Sequence, residues 1–137
     1  MDKKNIDWEN LGFAYIETDK RYVADFKDGK WNEGGLIDDP NITMNECAGV
    51  LQYAQTIFEG LKAYTTEDGH IVAFRPDLNA QRMVDSAKRL EMPVFPAERF
   101  VEAVVQTVKA NAAYVPPYGS GATLYVRPYM FGINPVI

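Results

Sequence analysis

Cysteine is almost missing: Cys47 is alone among 137 residues. One thiol excludes an internal disulfide and leaves no second thiol for a zinc site of ordinary spacing, which points to a reducing, cytoplasmic setting. No histidine or basic cluster lies near Cys47 in sequence to lower its pKa, so it is expected to pack rather than to act as a nucleophile. His70 is the one histidine, directly after a turn glycine, and is expected to be exposed rather than catalytic. No stretch approaches the roughly 20 apolar residues that a membrane span requires. The N-terminus, Met1 to Asp7, carries no apolar signal-peptide core, so a soluble, unprocessed chain is expected. Net charge is −5 and no Lys/Arg cluster stands out, which excludes nucleic acid as the expected partner. An anionic cofactor would need a local cationic pocket.

What is present is a chain with 47% hydrophobic residues, long enough for one domain with its own core. Short apolar and aromatic runs open it: Phe13 to Ile16, Tyr22 to Phe26 and Trp31, punctuated by Asp28-Gly29 and Gly34-Gly35. These read as short antiparallel strands with tight turns. Thr56 to Thr65 and His70 to Phe74 flank Asp68-Gly69 and read as a hairpin. A helix is predicted from Pro76, carrying Ala80, Met83, Val84, Ala87 and Leu90 at helical spacing and ending before Pro93. A second opens around Pro96-Ala97-Glu98, runs through Phe100, Val101, Val104, Val105, Val108 and Ala112, and stops at Pro116-Pro117. A last strand spans Ala122 to Phe131. Strands first, helices next and one strand returning describe an α+β domain: a largely antiparallel sheet with two helices packed on one face.

Alternation along strands sorts the candidate chemistry. In Thr56 to Tyr64, one set holds Ile57, Leu61 and Ala63 with Glu59 as the odd member. The other holds Thr56, Phe58, Gly60, Lys62 and Tyr64. Gly60 in mid-strand signals either close approach of a ligand or backbone, or a bulge in a crowded sheet. In the last strand Leu124, Val126 and Met130 make an apolar face, whereas Thr123, Tyr125, Arg127, Tyr129 and Phe131 make a face of aromatic rings around a guanidinium. A guanidinium there grips either a substrate carboxylate with two parallel hydrogen bonds or an internal Asp or Glu. Arg75, Arg82 and Arg89 recur every seven residues, with Ser86 one turn after Arg82; such a stripe is a solvated helix face or a rigid mount for a phosphate-binding cation.

Four motifs then align with a known group. Gln52-Tyr53-Ala54-Gln55-Thr56-Ile57-Phe58-Glu59-Gly60-Leu61-Lys62-Ala63-Tyr64, Phe74-Arg75-Pro76-Asp77 through Arg82-Met83, Pro116-Pro117-Tyr118-Gly119 and Leu124-Tyr125-Val126-Arg127-Pro128 resemble the branched-chain aminotransferases of the class-IV (fold-type IV) pyridoxal-phosphate family. In the family's order, and with the segments between them, they cover residues 10 to 137. The resemblance implies two α/β domains with pyridoxal 5'-phosphate between them, residues 1–137 being the N-terminal domain. It implies amino-group transfer from leucine, isoleucine or valine to 2-oxoglutarate by a homodimer. Arg82 matches the arginine that holds the cofactor phosphate. Phe58 and Tyr64 match side chains near the branched-chain pocket, with Gly60 between them on the same face. Tyr125 and Arg127 match the pair that handles substrate carboxylates, and Tyr53 a tyrosine contributed across the dimer. The Schiff-base lysine is expected beyond Ile137, because Lys62 matches a position held by Lys or Arg without that role; residues 1–137 alone are expected to be inactive. Related alternatives are a D-amino-acid aminotransferase or an aminodeoxychorismate lyase, and a different class of answer is a non-catalytic binding or dimerisation module.

Overall fold

The computed structural model describes residues 2–135. Its first third forms a nested pair of hairpins: β1 (Arg21–Val23) pairs with β4 (Gly35–Ile37), and β2 (Phe26–Lys27) pairs with β3 (Lys30–Trp31) inside them. The inner turn is Asp28-Gly29, both with positive φ (54° and 81°), as a tight two-residue hairpin requires. The predicted single run Tyr22 to Phe26 is therefore divided between two strands. Phe13 to Ile16, predicted as a strand, is not one; this segment has no regular secondary structure and lies at the surface, with Phe13 and Tyr15 exposed. Apolar character alone does not make a strand when no partner backbone lies alongside.

A short helix that the sequence pattern does not announce, α1 (Gly49–Tyr53), precedes β5 (Thr56–Phe58), β6 (Leu61–Thr65) and β7 (Ile71–Ala73). Two long helices follow, α2 (Pro76–Arg89) and α3 (Ala97–Ala110), and then β8 (Leu124–Val126) and β9 (Tyr129–Phe131). All strand pairs are antiparallel: β5 with β9, and β6 between β7 and β8. The runs Thr56 to Thr65 and Ala122 to Phe131, each predicted as one strand, are each interrupted once, and opposite one another. Pro128 has no N–H to give to a ladder. The register nevertheless continues unchanged across the gap, from Phe58 opposite Tyr129 to Leu61 opposite Val126. Glu59 thus faces Pro128, whose carbonyl accepts its N–H at 2.8 Å, and Gly60 faces Arg127.

The helices cover one face, as the α+β reading expects. Ile57, Leu61 and Ala63 of the strands pack against Ala80, Met83 and Ala87 of α2 and Phe100, Val104 and Val108 of α3. The spacing of these residues explains both helices. Leu90 and Val105, assigned to the same stripes, are exposed: Leu90 lies past the last turn of α2, and Val105 falls on the edge of its helix's apolar arc. The second helix also ends earlier than Pro116-Pro117. Asn111 caps it, and its buried side chain accepts the N–H groups of Asp19 (2.9 Å) and Lys20 (3.0 Å) while donating to the carbonyls of Lys20 and Thr107 (both 2.8 Å). One amide thereby fastens the chain leading into β1 to the end of α3.

Cys47 corrects a second expectation: it is exposed. It sits in the turn before α1, where Asn45 Oδ1 accepts its N–H, and the following Ala48 and Gly49 take the buried positions. His70 is exposed, as expected, and its Nδ1 lies 2.8 Å from Asp68 Oδ2.

Candidate functional site

The face turned away from α2 and α3 carries Phe58, Lys62, Tyr64, Tyr125, Arg127 and Tyr129, all exposed. Alternation puts them there, and cross-strand pairing brings them together: Phe58 stands opposite Tyr129 and Lys62 opposite Tyr125. Large aromatic side chains are ordinarily buried, so Phe58 at 60% and Tyr125 at 50% exposure form an unusual apolar wall. Arg127 lies within it. Its guanidinium carbon is 4.4 Å from the Phe58 ring centre and 5.1 Å from that of Tyr125, and its Nε donates to the Tyr125 hydroxyl at 3.0 Å. Among the described residues no carboxylate pairs with Arg127. The internal-Asp/Glu alternative for this arginine is therefore not what the structure contains.

Gly60 has a local explanation. The space that a Cβ would take at this position is filled by the Tyr125 hydroxyl and ring edge. Tyr125 can lie flat across the strand, and present its hydroxyl to Arg127, because residue 60 has no side chain. Gly60 is thus part of the same constellation through Tyr125.

Arg82 is elsewhere. It projects from α2 on the helix side of the strand, and its Nε and Nη2 donate to Oε1 and Oε2 of Glu59, both at 2.6 Å. Glu59 is 2% exposed, and Asn79 Nδ2 donates to its Oε2 at 3.0 Å and to the Gly60 carbonyl at 3.2 Å. Burial pushes the Glu59 carboxyl up, but the hydrogen bonds from Arg82 and Asn79 outweigh it and hold the group below the usual glutamate range. The same pairing raises the Arg82 pKa further. Glu59 and Asn79 were not singled out from sequence as site residues. The signal was there for Glu59, a carboxylate in an otherwise apolar alternating set, but its partner lies two strands and half a helix away in the chain.

The arginine stripe of α2 is broken up by these pairings. Arg75 takes a left-handed conformation (φ 46°) before Pro76 and is forked onto Asp77 at 2.9 and 2.8 Å. Arg82 and Arg89, by contrast, line one open groove with Ser86, Asp85, Leu90 and Ile57. Arg82 has five N–H donors, of which Glu59 takes two. Three donors remain beside the Ser86 hydroxyl and the Arg89 guanidinium, a donor set that fits a phosphate group. Tyr53 is the last residue of α1 and is exposed, on neither the aromatic face nor this groove's lining. Among the described residues there is no cluster of metal-ligating side chains, and no helix is long and apolar enough to cross a membrane.

No family model matches the chain. Among individual proteins, a branched-chain-amino-acid aminotransferase of Haemophilus influenzae is 53% identical over 131 residues, which is 96% of this chain and 38% of that protein. Solved structures agree on the fold. A branched-chain aminotransferase of Thermoproteus uzoniensis, crystallised with norvaline, superposes with a TM-score of 0.63 at 28% identity over 88% of this chain and 35% of that one. The T.th. branched-chain aminotransferase complexed with N-(5'-phosphopyridoxyl)-L-glutamate gives 0.62 at 25% identity over 89% and 37%. The chain therefore spans a little over a third of the length of the relatives it matches. The shared sequence and the fold together show that the chain is similar, over nearly its whole length, to part of the branched-chain-amino-acid aminotransferases.

Proposed function

We propose that these residues form the cofactor-phosphate and substrate-carboxylate side of a transaminase that moves the amino group of leucine, isoleucine or valine to 2-oxoglutarate. The observation that carries this reading is Arg127, a guanidinium that no carboxylate among the described residues pairs with, set among exposed aromatic rings. A cation so placed has every fork donor available except Nε, and its natural complement is the carboxylate of an amino or oxo acid. Phe58 and Tyr64 supply the apolar wall against which a branched side chain loses water. Tyr125 contributes its hydroxyl beside Arg127, a position open only because residue 60 is glycine.

Arg82, with its three remaining donors, is the residue that would hold the phosphate of pyridoxal 5'-phosphate. When bound, that cofactor supplies the electron sink for amino-group transfer, and the protein positions and tunes it. Lys62 lies on the aromatic face opposite Tyr125, and we assign it no covalent role. Residues 1–137 thus provide binding and orientation without turnover of their own. Tyr53, exposed at the end of α1, suits a contribution to a neighbouring subunit of a homodimer. A cytoplasmic location accords with the lone, exposed Cys47.

Substitution of Arg127 in the complete protein tests the reading. Arg127→Ala is expected to lower kcat/KM for leucine and for 2-oxoglutarate by about tenfold to a hundredfold, the size of a lost charge-assisted hydrogen bond. Arg127→Lys keeps the charge without the fork and is expected to restore only part of it. A drop in thermal stability with kcat/KM unchanged would return Arg127 to a structural role.

A further inference from the structure

We infer that Glu59 is a positioning residue for Arg82: it aims the guanidinium so that its outer donors face the groove shared with Ser86 and Arg89. This rests on the reading in which Arg82 meets the cofactor phosphate. Alternation places residue 59 between Ile57 and Leu61, on the face that α2 and α3 cover. An apolar side chain would satisfy that face, whereas a carboxylate buried there must be paired and hydrogen-bonded to be tolerated at all. Among the described residues its side-chain partners both lie on α2, Arg82 through two bonds and Asn79 through one.

Arg82 needs such a constraint. Its side chain is 69% exposed, so without Glu59 it would be a surface arginine distributed over many rotamers. Both Nε and Nη2 bond to one buried carboxylate, which fixes the plane of the guanidinium and commits its inner edge. The outer edge then points one way only. A ligand that binds an already oriented cation does not lose that side-chain freedom on binding. The carboxylate also lowers the net positive charge at the groove, so charge and orientation predict opposite outcomes when it is removed.

The tie extends to the other part of the site. Asn79, three residues before Arg82 on the same helix face, bonds both Glu59 and the Gly60 carbonyl. Glu59 points to the helix while its neighbours Phe58 and Gly60 belong to the aromatic face. The helix that carries Arg82 is thereby pinned at the strand interruption, opposite Arg127 and Pro128.

The test compares two probes in the complete protein, pyridoxal 5'-phosphate and pyridoxal, which differ by the phosphate alone. Dissociation constants from equilibrium dialysis with absorbance detection give the preference for the phosphorylated probe, and the apo-protein's unfolding midpoint is followed alongside. Glu59→Gln is expected to reduce that preference about tenfold, the scale on which orienting partners of a ligand-holding group act. Asn79→Ala, which leaves the charge of Glu59 in place, is expected to reduce it by about threefold and serves if Glu59→Gln does not fold. Arg82→Gln separates the two ideas. If it leaves the preference unchanged, the phosphate role of Arg82 fails. If it abolishes the preference while Glu59→Gln and Asn79→Ala leave it intact or strengthen it, the positioning role of Glu59 fails by itself. A fall in midpoint with the preference kept would likewise make Glu59 a structural residue only.

Discussion

Arg82 and Arg127 stand on opposite sides of the same strand pair and are treated in opposite ways. Arg82 has an internal anion: its inner edge is forked onto a carboxylate that is itself buried. Arg127 has none among the described residues, and rests on two aromatic rings and a phenol oxygen. An arginine's availability is thus set by what its strand or helix neighbours bring to it. A cation with an internal partner presents a fixed set of leftover donors. A cation held only by ring faces keeps its fork for a carboxylate from outside.

The two faces of the strands differ in the same sense, and substitution should separate them. The largest stability effect is expected on the helix-covered face. Leu61→Ala, in the cluster with α2 and α3, should cost about 2–5 kcal/mol through lost burial and a residual cavity. Phe58→Ala, three residues earlier on the open face, should cost less than about 1 kcal/mol while raising KM for branched-chain substrates. Chemical denaturation of the pair, with kinetics of the complete protein, checks both. Equal destabilisation by the two would remove the distinction between core and cleft faces.

Asn111→Ala ranks next. It leaves the Asp19 and Lys20 N–H groups and two carbonyls without the partner that now joins them, for an expected loss of about 1–3 kcal/mol. Asn111→Asp should not repair it, since a carboxylate cannot donate to the Lys20 and Thr107 carbonyls. Hydrogen exchange should show the amides around Lys20 opening first; unchanged protection there would contradict the clamp.

The smallest effect is a change of slope with pH. Glu59 is held below its ordinary range in the folded protein, so its contribution is present above the unfolded carboxyl's pKa and is lost as pH falls through the lower, folded one. In denaturant titrations at stepped pH, the native protein should lose stability toward acid more steeply than Glu59→Gln. Parallel curves would mean that the Arg82 pairing contributes nothing to folding stability, while leaving Arg127 unaffected.

Much of this arrangement could be read from local pattern. The 3.6-residue spacing of Ala80, Met83, Val84 and Ala87 and of Phe100, Val104 and Val108 marks both helices and their inner faces. Period-two alternation puts Phe58, Tyr64, Tyr125 and Arg127 on one face and Ile57, Leu61 and Ala63 on the other. Those signals are local, since they depend only on how the backbone repeats. Short segments with no repeat are less legible. Phe13 to Ile16 has the composition of a strand and no partner, and α1 is too short to show a helical period.

Near-neighbour spacing along the chain therefore suffices for the helices, the two faces of the strands and the family motifs. Which charges meet is settled only by packing. Whether Glu59 reaches Arg82, whether Arg127 finds an internal carboxylate, and what fills the space above Gly60 all depend on contacts between segments distant in the chain. A side chain's partner is fixed by angstrom-scale geometry across elements, and no periodicity along the chain encodes that distance.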